Sequence, residues 1–419
     1  MNSQGNEAPV SSGDHIAWSP LHIAMVGQKG LPATFGGIEH HVENIGARLV
    51  ERGHRVTVYC RSTYSEVLVQ EHRGMRLVAA PTIGTKHLDA IVHSATSTGK
   101  ALSAGADVVH YHGIGPGLLA PVPRFLSRSS VVMTVHGLDH QRAKWGAAAQ
   151  AVLGAAHWMS GRVPDELVVV SRDLVEHYRG RRGLEATYVP NGVVPHPRVG
   201  ADLLDQFGLL PGRYAVCVGR LVPEKRADLL IKAFRRVEGD YRLAVVGDSS
   251  FSDDFSRHLR DLAADDPRVV FTGFAYGATL AALYQHAGVF VQPSALEGLP
   301  LTLLEAVSYD CPVLVSDIPP HREVVGRGSS RHRTVPVDDV AALTTALGQM
   351  LGADRAPDPV ADELRSAVVS HYSWDSAVLE LEQIYLRSLA RRRGSPARHH
   401  GPRQGTRRAD DIVLQEGSR

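Results

Sequence analysis

Long hydrophobic runs are missing from this 419-residue chain: no stretch of about 18 uninterrupted apolar residues occurs, so a membrane span is not expected. Cysteine is scarce too. Cys60, Cys217 and Cys311 lie far apart, each in or beside an apolar run, which argues for reduced, buried thiols in a cytoplasmic protein and against a disulfide framework or zinc site. Neither sign of charge dominates. The 45 Lys and Arg stand against 44 Asp and Glu, so no global field draws the chain to nucleic acid or a membrane. The first 15 residues carry Glu7 and Asp14 but no basic start and no apolar core, unlike a secretory signal. Two phosphate-binding patterns, Gly-x-Gly-x-x-Gly and Gly-x-x-x-x-Gly-Lys-Ser/Thr, are absent from the first loop. Where a ribose-binding carboxylate of an NAD site would close strand two stand Tyr59-Cys60-Arg61, which disfavours a nicotinamide dehydrogenase.

What is present is an alternation of apolar runs with helical segments, on a length that suits two domains of roughly 150–200 residues. Residues 1–18 read as a disordered N-terminus. Leu21-His-Ile-Ala-Met-Val-Gly27 reads as a first buried strand, followed by a glycine-rich loop with Gly30, Gly36 and Gly37 and a helix over about 38–51. Further strands are expected at 54–60, 76–80, 107–112, 130–136 and 166–171. Val189-Pro-Asn-Gly-Val-Val-Pro-His-Pro-Arg198, with three prolines in ten residues, reads as a linker, after which the pattern restarts at 213–219, 241–247, 268–273, 289–292 and 312–316. Strands alternating with helices of ten or more residues predict right-handed βαβ units and two parallel, doubly wound α/β domains, with ligands at the carboxyl ends of the strands. The domains are expected over 19–193 and 194–373. An amphipathic helix over 374–390 should pack on a domain, and 391–419 should be a disordered basic tail.

The chemistry-bearing residues gather at those strand ends. Glu297-Gly-Leu-Pro-Leu-Thr-Leu-Leu-Glu305 runs from loop into helix, with Pro300 suited to the first turn. Glu297 then precedes the positive helix end and Glu305 lies on the helix: a strand–loop–helix anion site. In Gly219-Arg-Leu-Val-Pro-Glu-Lys225, Arg220 can clamp a diphosphate in a fork and Lys225 can add a point charge. Alone, such a pair is a solvated strand end; with the other loops at the same sheet edge it reads as ligand-binding. The first glycine loop is open to the same two readings, a bare turn or a backbone approach to phosphate. His136 ends one apolar run, and His110 and His112 end its neighbour. No carboxylate completes a familiar ligand set with them and no Asp-x-Asp pair occurs, so no metal is expected.

Together these residues resemble the family-4 glycosyltransferases of the GT-B fold, which transfer sugars from nucleotide diphosphates with retention. The resemblance covers about residues 21–390. Its most specific element is the Glu297–Glu305 stretch, similar to the family's E-x7-E signature. The Arg220–Lys225 loop and Pro190-Asn-Gly-Val193 are also typical. Gly30-Leu-Pro-Ala-Thr-Phe-Gly-Gly-Ile-Glu39, Gly137-Leu-Asp-His-Gln-Arg-Ala-Lys-Trp145 and Val170-Ser-Arg-Asp-Leu-Val-Glu-His-Tyr178 resemble a rhamnosyltransferase-like branch of bacterial surface-polysaccharide assembly. The resemblance implies that Arg220 and Lys225 bind the donor diphosphate, with Gly36 and Gly37 approaching it from the opposite domain. Backbone N–H groups at Leu301 and Thr302 would cap the phosphates, and Glu305 would hold the ribose. Glu297 and His136 would be the catalytic-site residues around the transferred sugar, and the 374–390 helix would cross back to the first domain. Many relatives have glycine where this chain has Pro300, so that position donates no N–H here.

The function this implies is metal-independent front-face substitution onto a glycan or lipid-linked acceptor, with no cofactor beyond the nucleotide-sugar co-substrate. Acceptor contacts are expected from loops at 84–93 and 113–123. Two alternatives stand beside it: a nucleotide-sugar epimerase or hydrolase on the same fold, and a catalytically silent nucleotide-sugar-binding protein. Residues 391–408 hold seven arginines and no acid. They read as a solvated tail, or as one adhering to the inner membrane surface at roughly 1 kcal/mol per cation.

Overall fold

The computed structural model describes residues 19–34, 36–64, 69–82, 89–138, 147–194, 197–248, 253–326, 328–353 and 357–394. The expectations placed on 1–18, on 139–145 and on the tail beyond 394 lie outside them.

Among the described residues fourteen strands form two sheets. The first holds β1 (His22–Val26), β2 (Arg55–Arg61), β3 (Glu71–His72), β4 (Met75–Ala80), β5 (Val108–His112), β6 (Ser130–Val135), β7 (Glu166–Val169) and β8 (Thr187–Tyr188), in the order β3-β4-β2-β1-β5-β6-β7-β8. The second holds β9 (Tyr214–Val218), β10 (Arg242–Val246), β11 (Val269–Gly273), β12 (Val289–Gln292), β13 (Val313–Ser316) and β14 (His332–Val335), in the order β11-β10-β9-β12-β13-β14. Every pairing is parallel except β3 with β4. Strands β1, β5 and β6 are buried along their whole length, because helices cover both faces of the sheet. This explains their unbroken apolar runs. All three cysteines are buried free thiols.

In both sheets the strand order reverses beside the first strand, β1 or β9, and the carboxyl ends of the central strands meet across a cleft. The two domains are tied by the helix Trp374–Arg392, which packs on the first domain. Its Trp374, Val378, Leu381, Ile384, Tyr385 and Leu389 join Ile23, Val42 and Ile45 in one apolar cluster. Ion pairs hold it to the first domain as well. Glu382 accepts from Arg52 Nη2 at 2.5 Å and faces His54 Nε2 at 2.8 Å. Near its end, Arg391 pairs with Glu166 and Arg392 with Asp165 (2.9 Å). The helix therefore runs to residue 392, not 390: the first arginines of the expected tail are its anchors, because Asp165 and Glu166 at the start of β7 offer them partners. Two of the expected acceptor loops are also partly ordered elements. Helix Asp89–Ser103 begins inside 84–93, and a 3-10 turn, Pro116–Leu119, lies within 113–123. Among the described residues no helix is long and apolar enough to cross a membrane.

Candidate active site

The second-domain wall of the cleft is built from two loops stapled together. After β9 the chain turns through Gly219 into a 3-10 turn, Pro223–Lys225, and the carbonyl of Glu224 accepts from the Ala295 N–H of the loop after β12 (2.9 Å). This brings Lys225 Nζ to 2.6 Å from Glu297 Oε1, the same oxygen that accepts from Gln292 Nε2 at 2.7 Å. Burial alone would push the Glu297 carboxyl up. The Lys225 ammonium and the hydrogen bonds outweigh it and hold the carboxyl below its usual range. Lys225 is thus already engaged by Glu297, a pairing the sequence did not reveal. Arg220 is partly exposed at the end of β9 and makes no ion pair among the described residues.

Helix Leu301–Ser308 begins at the same sheet edge. Pro300 is extended (φ −74, ψ 113) and caps the helix from outside, not within the first turn as expected. Its carbonyl accepts from Leu303 and Leu304 (3.2 and 3.3 Å), which leaves the N–H groups of Leu301 and Thr302 without a backbone partner among the described residues. One turn on, Glu305 Oε2 accepts from Tyr284 Oη at 3.0 Å, and burial pushes its carboxyl up to about 7.

The first domain meets this wall at two glycine contacts. Gly298 lies so close to the strand-end segment after β6 that a Cβ built on it would sit 1.8 Å from the carbonyl oxygen of His136. A Cβ on Gly37 would come within 3.8 Å of Leu301 Cδ1, placing the Gly36–Gly37 helix start opposite helix Leu301–Ser308. Gly36 itself has φ +99, and its loop is braced by Glu39, whose Oε1 accepts from the Lys29 N–H at 2.9 Å.

Behind the cleft is a histidine stack. Both His110 and His112 lie within β5, so their side chains share a face, with ring centroids 4.2 Å apart. His112 Nδ1 is 3.3 Å from His136 Nε2. His41, on helix Gly37–Glu51, stands edge-on to His136 at 4.6 Å. Burial holds His112 and His136 well below the usual histidine range and His41 at about 4. One ring nitrogen from each of His41, His112 and His136 lies within 4.8 Å of the other two, so these are the side chains that could hold a cation. Asn191 joins this stack to the second-domain wall: His41 Nδ1 lies 2.9 Å from its Oδ1, and its Nδ2 donates to Leu299 O at 3.0 Å. Sequence reasoning placed His136, Glu297 and Glu305 at the cleft but missed His41, Asn191, Gln292 and Tyr284. Only Asn191 carried a signal, in its Pro-Asn-Gly setting.

Two facing parallel α/β domains, with the Leu301 helix start on the second opposite a glycine turn on the first, have the GT-B arrangement. Residues 35–196 match the model described as Glycosyltransferase Family 4, and 212–353 the model described as Glycosyl transferases group 1. The chain belongs to the family-4 glycosyltransferases. It is 28% identical over 378 residues to a GDP-mannose-dependent alpha-(1-6)-phosphatidylinositol monomannoside mannosyltransferase of Mycolicibacterium smegmatis, covering 84% of this chain and 95% of that one. It is 28% identical over 443 residues to a D-inositol 3-phosphate glycosyltransferase of Acidothermus cellulolyticus, covering 94% and 97%. In fold it is similar to sucrose-phosphate synthase from Thermosynechococcus elongatus (TM-score 0.77, 22% identity, 88% of this chain and 100% of that one). It is likewise similar to Anabaena HepE in complex with UDP and glucose (TM-score 0.73, 17% identity, 87% and 99%).

Proposed function

We propose that the protein is a retaining glycosyltransferase that moves a sugar from a nucleotide diphosphate to a glycan or lipid-linked acceptor by front-face substitution, with no metal in the step. Residues 194–373 hold the donor and 19–193 face the acceptor. The observation that carries this reading is the convergence of Arg220, Lys225, the Leu301–Thr302 helix start and Glu305 on one sheet edge, facing Gly36, Gly37 and His136. Arg220 and Lys225 bind the diphosphate from one side, and the free N–H groups of the helix start bind it from the other. Glu305 accepts from the ribose hydroxyls. Glu297 orients the sugar, and His136 lies beside it.

Front-face substitution is supported by the state of Glu297, the carboxylate a double displacement would need as nucleophile. Its Oε1 is already shared by Lys225 and Gln292. In the proposed step the anomeric C–O bond breaks with its electron pair going to the diphosphate. The acceptor oxygen bonds on the same face, and a diphosphate oxygen takes its proton. Arg220, Lys225 and the helix start stabilise the charge growing on the leaving group. The loop Gly30–Glu39 supports an acceptor in bacterial surface-polysaccharide assembly, as in the rhamnosyltransferase-like branch. The relatives, by their names, act on phosphatidylinositol mannoside and inositol phosphate.

A thermal-shift panel of UDP-, GDP-, dTDP- and ADP-sugars tests the donor. A ligand at about a hundred times its Kd adds roughly 2.7 kcal/mol, and no shift with any of them overturns the reading. An inverted anomer in the product would overturn retention, and turnover lost in EDTA and restored by magnesium would overturn metal independence. We further propose a cytoplasmic enzyme in peripheral contact with an anionic membrane face through the arginines beyond 394. Removing 395–419 should then weaken binding to anionic vesicles, and unchanged binding refutes it.

A further inference from the structure

A thioether sulfur carries lone pairs and no proton, so it can only accept a hydrogen bond. Met25 Sδ, on β1, lies 3.3 Å from His112 Nε2, which makes Nε2 the protonated nitrogen of that ring. A neutral imidazole has one N–H, so His112 Nδ1 is an acceptor. Its partner at 3.3 Å is His136 Nε2, which must therefore carry the proton of the second ring. The lone pair of His136 is left on Nδ1. That atom makes no hydrogen bond to a described residue and is not among the sealed, unpaired ring nitrogens, whereas His112 is wholly buried.

The other flank obeys the same logic. Leu299 O can only accept, so the Asn191 amide must turn Nδ2 toward it and Oδ1 toward His41. His41 then carries its proton on Nδ1, and its buried, unpartnered Nε2 has none to offer His136.

We infer that Met25 and His112 are positioning residues that relay a fixed tautomer to His136, so that through Nδ1 it accepts a hydrogen bond from a hydroxyl of the donor sugar and donates none to phosphate. The inference rests on the reading that His136 lies beside the transferred sugar, and it adds the ring atom, the direction of the hydrogen bond and the two residues that set them.

Long-range 1H–15N spectra of the full-length protein labelled at histidine report each ring's tautomer without donor or acceptor. At about pH 7.5 both His112 and His136 should be Nε2–H forms. Met25→Leu, similar in volume but without the acceptor, should admit the Nδ1–H form at His112 and disturb the His136 signal. It should lower kcat about tenfold, the worth of one hydrogen bond, while the nucleotide Kd stays within about twofold. A wild-type His136 that is Nδ1–H or doubly protonated overturns the inference. So does a tightly held zinc ion whose removal shifts the signals of His41, His112 and His136 together. A Met25→Leu protein with wild-type spectrum and kcat overturns it as well. A protein that transfers no sugar from any donor would instead sink the proposed function, with the tautomers still decided by the spectra.

Discussion

Replacing Glu305 by Gln isolates the electrostatic cost of burying this carboxyl in the free protein. Burial pushes this carboxyl from 4.5 to about 7, with the Tyr284 hydroxyl only partly opposing it. The unfolded chain gives up the proton near 4.5 and the folded chain only near 7, so between those values the native state binds more protons and loses stability as pH rises. Above about 7 the whole penalty is present. At 1.36 kcal/mol per pH unit, and discounted because Glu305 keeps some contact with solvent, it comes to about 2–3 kcal/mol. Glutamine never ionises. Urea denaturation of both proteins should therefore show the stability difference moving in favour of Glu305→Gln by about 2–3 kcal/mol between about pH 4 and pH 8, with unchanged m. A difference independent of pH would refute the burial argument. A nucleotide whose ribose hydroxyls donate to the carboxylate favours its charged form. Its affinity for the wild type should then rise with pH up to about 7 and level off, while the Gln variant shows a flat profile.

Lys225→Ala should lower stability by about 2–4 kcal/mol by leaving Glu297 buried beside Gln292 alone, and should cut turnover about 10²–10³-fold. Adding Glu297→Gln should recover most of the stability and none of the turnover; recovered turnover would refute the diphosphate role of Lys225. Gly298→Ala sets a methyl 1.8 Å from His136 O and must push the domains apart by about 1 Å or more, so kcat should fall about a hundredfold with little change in Tm, and a wild-type kcat would refute the close approach. Glu382, held below its usual range by Arg52 and His54 against the opposing effect of burial, stabilises the protein above the unfolded carboxylate value, an effect lost as pH falls through its folded value. Glu382→Gln should flatten that acid limb in urea titrations, and an unchanged limb would show that the crossover helix is held otherwise.

The strands of the two sheets were largely legible because strands buried on both faces show as unbroken apolar runs, and Gly, Pro and Asn punctuate them. Short β3, β8 and β14 escaped notice. Two-residue strands carry no periodicity, and His332–Val335, an edge strand, has three polar residues before its single valine. Pro300 was read one position too far into its helix, since proline suits both the cap and the first turn. The end of the crossover helix was misjudged because Arg391-Arg-Arg393 has the composition of a tail. Its partners, Asp165 and Glu166 at the start of β7 and Asp107 before β5, are brought to it only by the fold.

What the sequence alone determined is local: the two α/β domains, the family, and the strand–loop–helix stretch that carries Glu297 and Glu305. The tertiary structure decided the pairings. Lys225 and Glu297 are 72 residues apart, His41 and Asn191 are 150, and His110 and Tyr385 are 275. No periodicity spans such distances. Hydrogen bonds and desolvation depend on separations of a few ångströms, so the charge states of Glu297 and Glu305 and the tautomers of the histidine stack exist only once each sheet has brought distant loops and strand ends together.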